Sequence, residues 1–152
     1  MIILSVNYLR LIPESPTYIP NVAKRRVAEQ YLKKQFPQIE SIEFIESKET
    51  LFVDSGSNWE TIRCPVCEAE LCDNWWKKSM DSAYENRFSD LNVSTPCCGS
   101  RTTLNDLNYN WPAGFARFIV EIRNPPRDIT GEEITELDGI LDCRLRKVWA
   151  HY

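Results

Sequence analysis

Two short cysteine turns constrain this chain more than any other feature. Cys64-Pro65-Val66-Cys67 places two sulfurs on one side of a tight knuckle whose backbone N–H groups can donate to them. Thirty residues after Cys67, Pro96-Cys97-Cys98-Gly99 supplies two further sulfurs and a glycine free to adopt positive φ. The same residues suit two other chemistries. Disulfides need an oxidising compartment, and a redox Cys-x-x-Cys needs its first cysteine at a helix N-terminus after a strand. A second cysteine pair downstream is more economically explained by a metal, so the expectation is a structural Zn2+ that ties the middle of the chain together.

The knuckles resemble those of zinc ribbons, which commonly read Cys-Pro-x-Cys-Gly. The first matches at Cys64, Pro65 and Cys67, with Glu68 where glycine is usual; the second keeps Pro96, Cys98 and Gly99 but carries Thr95 at the usual first cysteine. This resemblance covers Trp59 to Asn110 and implies that Cys64, Cys67 and Cys98 are ligands. Three candidates compete for the fourth position: Cys97, then Cys72, then water. Cys97 qualifies only if a turn aims it and Cys98 at one ion, because neighbouring side chains on a regular strand face opposite ways. Four sulfurs make a closed structural site, whereas three plus water leave an open position of the catalytic type. The chain also resembles small bacterial proteins that combine Cys-Pro-x-Cys, Pro-Cys-Cys-Gly and a following strand of the Gly114-to-Phe118 kind. Some proteins of this size and acidity are immunity partners of toxins, which by analogy implies a toxin as protein partner.

Around the cysteines, periodicity predicts an α+β chain. Ile2 to Leu11 reads as a strand closed by Pro13 and Pro16. Ala23, Val27, Ala28, Tyr31, Leu32 and Phe36 recur at helical spacing, capped by Asn21 and stopped by Pro37. Ile39 to Ile45 and Thr50 to Asp54 read as two strands, Phe115 to Ile122 as another, and Leu145 to Trp149 as the last. Thr130 and Glu133 form a capping box before a helix carrying Ile134, Leu137 and Leu141. Strand–helix–strand twice over is the order of the ferredoxin-like split βαβ–βαβ fold. The expected division is 1–58 and 111–152 for the two halves of that body, with a zinc-ribbon-like module inserted at 59–110. Inside the module, Trp76, Met80 and Tyr84 mark a helix begun by Asp73 or Asn74, leaving Trp75 on the solvent side. Leu104, Leu107, Tyr109, Trp111 and Phe115 would join module to body. Cys143 reads as a small buried hydrophobe.

Charge and the missing residue types limit the function classes. Eighteen Lys and Arg stand against 22 Asp and Glu, a net −4 that argues against a protein built mainly to coat nucleic acid. His151, the one histidine, is penultimate and reads as solvated on a loose tail. That leaves no His-rich hydrolase site and no Ser–His or Cys–His couple. The zinc-deaminase pattern fails because Cys67 precedes Glu68 directly and the second motif is Pro-Cys-Cys. Five single glycines make no phosphate-cradling loop. No run approaches the about 18 apolar residues of a membrane span, and the first segment lacks the basic start of a signal peptide, so the expected location is cytoplasmic. The leading expectation is a non-enzymatic, zinc-stabilised binding protein that presents a surface to a protein partner. Glu40, Glu43, Glu46 and Glu49 with Trp75 are the candidate surface, of a kind that would cover the basic groove of a toxin nuclease. The alternatives are a nucleic-acid-binding zinc ribbon using Lys24, Arg25, Arg26, Lys33, Lys34, Arg144, Arg146 and Lys147, and a metal-dependent enzyme with an open zinc position.

Overall fold

A computed structural model describes residues 5–152; Ile2 to Leu4, assigned above to the first strand, lie outside the described residues. In chain order the elements are β1 (Asn7–Pro13), α1 (Val22–Gln35), β2 (Ser41–Val53), β3 (Thr61–Arg63), α2 (Asp73–Glu85), β4 (Asn92–Ser94), β5 (Arg101–Thr103), β6 (Asn108–Asn110), β7 (Gly114–Arg123), α3 (Gly131–Leu141) and β8 (Leu145–His151). The architecture is α+β. Four strands form one antiparallel sheet in the order β2-β7-β1-β8, and β3–β6 and β4–β5 form two-stranded sheets of their own. No helix among the described residues is long and apolar enough to cross a membrane.

Local chemistry sets the helix boundaries. The Asn21 side chain accepts from the Lys24 backbone N–H at 2.9 Å, satisfying one of the donors that a helix start leaves open. Ala28, Leu32 and Phe36 then bury against Leu9, Leu11, Phe118, Val120 and Ile122, and α3 adds Leu137 and Leu141 to the same cluster. Both helices therefore cover one face of the sheet. Ala23 and Val27, predicted for this stripe, are exposed, because helix phase turns them away from the face that carries Arg25, Ala28, Leu32 and Phe36 onto the sheet. Ile12, Ile119 and Val148 point to the opposite face, where strand alternation requires them. Arg10 joins them there, its Nε 2.9 Å from Glu121 and its guanidinium over the rings of Tyr8 and Tyr152.

Three expectations need correction. The two strands predicted between Ile39 and Asp54 are a single edge strand, β2, whose register on β7 slips between Glu46 and Leu51. That irregularity absorbs the polar run that looked like a break. The last strand runs on to His151, whose backbone pairs with Ser55 and Ser57 while its ring Nδ1 lies 2.7 Å from Asn7 Oδ1. The tail is consequently part of the sheet. In α2 the buried residue is Ala83, and Tyr84 is 70% exposed. Seven residues on from Trp76 a helix returns to within about 20° of its starting direction, while eight overshoot by about 80°.

A second apolar cluster forms between β2 and β7. Ile62, Leu71, Ala83, Leu104, Leu107, Tyr109 and Phe115 are buried there, with Phe52, Trp59 and Trp76 packed on them. Phe52 and Phe115 are cross-strand partners on β2 and β7 with ring centroids 5.1 Å apart, so this cluster is seated on the end of the main sheet. Leu104, Leu107 and Tyr109 make the predicted join. Trp111, predicted with them, is 39% exposed.

At α3 the capping box is complete. Thr130 Oγ1 accepts from Glu133 N at 3.2 Å, and Glu133 Oε1 accepts from Thr130 N at 2.9 Å. Arg127, stacked over Phe36 at 4.2 Å, donates to both oxygens of the nearly buried Glu133 at 2.8 Å. The Arg127 hydrogen bonds, opposed by burial and helped by Thr130, hold the Glu133 carboxyl down at about 2. Glu133→Gln is expected to cost about 2 kcal/mol in urea unfolding at neutral pH, through loss of the charged pair and part of the cap. Because the folded-state value lies below the unfolded one, this stabilisation is whole at neutral pH. It drains as pH falls from the ordinary carboxylate range through about 2. The variant should lose less stability across that window than the parent.

Candidate metal centre

Each cysteine turn is the tip of a small β structure. In the first, β3 delivers Cys64, whose N–H donates to Ala69 O at 2.9 Å, while Glu68 N–H donates to Cys64 O at 3.0 Å. In the second, β4 delivers Thr95, whose N–H donates to Ser100 O at 2.9 Å, while Gly99 N–H donates to Thr95 O at 2.9 Å. The two knuckles thus share one hydrogen-bond pattern, which aligns Cys64 with Thr95, Val66 with Cys97, Cys67 with Cys98, and Glu68 with Gly99. The last pair are left-handed, with φ 64° at Glu68 and 69° at Gly99. Glycine adopts that conformation freely and glutamate does not.

The tips meet sulfur to sulfur. Cys64 and Cys98 Sγ are 3.8 Å apart, Cys67 and Cys97 3.3 Å, Cys97 and Cys98 4.0 Å, and all four lie within 4.8 Å of one another. A tetrahedral zinc with four sulfurs at 2.3 Å needs edges of about 3.8 Å, and a disulfide needs about 2.05 Å. The donor set therefore fits a tetrahedral ion, and the four cysteines could bind a metal such as zinc. Adjacent Cys97 and Cys98 converge because they sit in a turn. Cys72, the alternative ligand, lies outside the cluster. Leu71 N–H bonds back to Ile62 O at 2.8 Å, and the chain then turns at exposed Cys72 into α2. The four-sulfur cluster is complete without Cys72.

Thr95 occupies the place where the aligned knuckle has its buried sulfur. It is 2% exposed, with its hydroxyl 3.7 Å from Cys64 Sγ and 3.5 Å from Cys98 Sγ. The fourth sulfur comes instead from Cys97, at the exposed x position of the turn. Val66 N–H points at Cys64 Sγ from 3.4 Å, and Ser100 Oγ lies 3.1 Å from Cys98 Sγ. These donors bias the thiols toward thiolate. The Ser100 and Thr95 hydroxyls hold Cys98 down at about 6, and the Cys67 and Val66 backbone N–H groups lower Cys64 against the effect of burial. Cys67 moves the other way: the Ala69 N–H favours its thiolate, but the sulfurs of Cys97, Cys98 and Cys64 together with burial push it up to about 12. Crowded thiolates repel, and a divalent cation removes that cost. Thr95 and Ser100 were not singled out from sequence as part of the site; the departure at Thr95 was the available signal.

The other candidate residues are scattered. Glu40, Glu43, Glu46 and Glu49 belong to or flank edge strand β2, where Glu40 faces Arg123 at 3.6 Å, Glu46 meets Arg25 at 2.6 Å and Glu49 meets Arg87 at 3.0 Å. Glu43 has no ion pair among the described residues. Trp75, expected on the solvent side, is half-buried on the second cluster beside Ser79. Of the basic set, Lys24, Arg25, Lys33 and Lys147 are taken up by Asp142, Glu46, Glu29 and Asp128. Arg146 turns inward onto backbone carbonyls, and Arg26, Lys34 and Arg144 have no ion pair among the described residues. Cys143 is half-buried at the junction of α3 and β8, and burial with Asp138 and Asp142 pushes its thiol up to about 11. Comparison with family models, curated proteins and solved structures gives no match.

Two substitutions probe this geometry. Glu68→Gly should stabilise the metal-loaded protein by about 0.5–1 kcal/mol in thermal or urea unfolding, by relieving a left-handed non-glycine residue. Cys97→Ser should weaken zinc or cobalt binding by more than about tenfold, since changing even a residue behind a ligand costs that much. Cys72→Ser should leave the affinity and the cobalt–thiolate absorption unchanged.

Proposed function

We propose that this chain is a zinc-stabilised binding protein in which the metal is structural and does no chemistry. On this reading a ferredoxin-like body, residues 1–58 and 111–152, carries a zinc-ribbon-like module at 59–110. The order β2-β7-β1-β8 supports the body, since two split βαβ units interleave that way. The observation that carries the functional reading is the closed four-sulfur set, which offers an ion no position for substrate or activated water. The partner is a protein, met along the outer edge of the sheet where β2 presents its acidic residues. Glu43 supplies the charge there that is not already offset within the chain. A basic toxin whose groove this edge would cover is the narrower form of the proposal. Lys24, Arg25, Lys33 and Lys147 are already paired within the chain, which favours a protein partner over nucleic acid.

Purified protein is expected to hold one zinc per chain, and its cobalt form to show the intense sulfur-to-metal absorption of a tetrathiolate site. Chelation should collapse hydrogen-exchange protection across 59–110 and change the near-UV signal of Trp59 and Trp76, while protection in β1, β7 and β8 persists. Full retention of 59–110 protection in metal-free, reduced protein would overturn the structural role. Binding to single- and double-stranded DNA and to RNA should be weak and vanish at physiological salt; persistence there would favour the nucleic-acid reading.

A further inference from the structure

Between the first knuckle and the main sheet lies a cavity of about 410 Å³, walled by Pro65, Asp106, Asn108, Tyr109, Pro112 and Arg146. Arg146 is half-buried, and no carboxylate pairs with it among the described residues. Of the other half-buried arginines, Arg10 and Arg25 each meet a glutamate, and Arg117 donates through Nε to Ser47 O at 3.0 Å. At Arg146 one nitrogen does all the internal work. Nη1 donates to Asn105 O at 2.8 Å and Ala113 O at 2.9 Å, with Asn105 Oδ1 at 3.3 Å. Asn105 is itself locked, its Oδ1 accepting from Phe115 N at 2.9 Å and its amide donating to Glu14 O at 2.9 Å. Gly114 makes room for the guanidinium: a Cβ there would stand 2.8 Å from Nη1.

The remaining edge of the fork, Nε and Nη2, has no acceptor among the described residues. Neither atom is among the buried groups that lack a partner, so both reach solvent, and Arg146 is one of the residues lining the cavity. A guanidinium pinned at one nitrogen and free along the opposite edge is preorganised for a planar oxyanion that accepts two parallel N–H bonds. Asp106 stands on the same wall, its Oδ2 holding the Thr103 hydroxyl at 2.8 Å. A second negative charge there disfavours a dianion more than a monoanion.

We propose that this cavity is a binding site for a small carboxylate, with Arg146 as its bidentate anchor and Asp106 as the group that selects against phosphate. None of the site's polar atoms is a metal donor, but Pro65, Asp106, Asn108 and Tyr109 lie in the segment that the proposed function ties to the metal, so the site is tested in the zinc-loaded chain. Nuclear magnetic resonance of the full zinc-loaded chain tests it through the Arg146 Nε–Hε signal, titrated with acetate, inorganic phosphate and chloride at constant ionic strength. Acetate should shift that signal saturably, phosphate more weakly, and chloride only slightly and without saturation. Arg146→Lys, which keeps the charge and loses the fork, should weaken acetate binding about tenfold or more, read from backbone amides of Leu107 and Asn108. Should that variant fold poorly, Asp106→Asn reports alone: phosphate binding should tighten several-fold and approach or exceed that of acetate. A linear, unsaturable response to acetate, or unchanged binding in a folded Arg146→Lys protein, would overturn the site. Phosphate binding tighter than acetate in the parent chain would overturn its assignment to a carboxylate.

Discussion

Four sulfurs converge in the middle third of this chain, and on the proposed reading that segment depends on them. Its strands β3, β4, β5 and β6 are three residues each, and they pair only two by two. Such ribbons are too short to hold together by backbone pairing alone. The apolar cluster beneath them helps, but Trp59, Trp76 and Phe52 are only partly buried in it. A cation drawn into the cysteine set would cancel the repulsion of crowded thiolates and would fasten two turns separated by thirty residues in one step. The main sheet needs no such device, since two helices and a run of fully buried Leu, Phe, Val and Ile side chains close its core.

Much of this was legible in the residues. Helical spacing in α1, the reciprocal Thr130–Glu133 cap and the paired cysteine turns each follow from local chemistry, and local chemistry is what a sequence records most directly. The failures share a different cause. Tyr84 looked like the next residue of an apolar stripe, yet helix phase places Ala83 there. The polar run after Glu46 looked like the end of a strand, yet pairing with β7 carries the strand through an irregularity. Trp75 looked solvent-facing because its helix was read without the surface below it. Cys97 could be ranked but not fixed, since its aim depends on the turn that Thr95 and Gly99 close.

Charge was the least informative feature to read along the chain. The acidic run and the basic run look like two opposed surfaces in sequence, and in space they partly meet. Arg25 of α1 reaches Glu46 of β2, and Arg87 and Arg123 hold Glu49 and Glu40. Exposed pairs of this kind contribute little to stability. Their larger effect is to flatten the field that a partner would meet, which concentrates the meaningful charge in residues such as Glu43 and in the inward-facing Arg146.

The unequal construction of the two knuckles gives the cysteine cage a door. Cys64 is shut away from solvent while Cys67, Cys98 and Cys97, the last borrowed from the tip of its turn, stand outside. An ion seated among these sulfurs would come and go past the three outer ones, and a small competing thiol would find that side first. How quickly such a cage would trade its occupant is therefore set on its open side, opposite the one buried sulfur of Cys64.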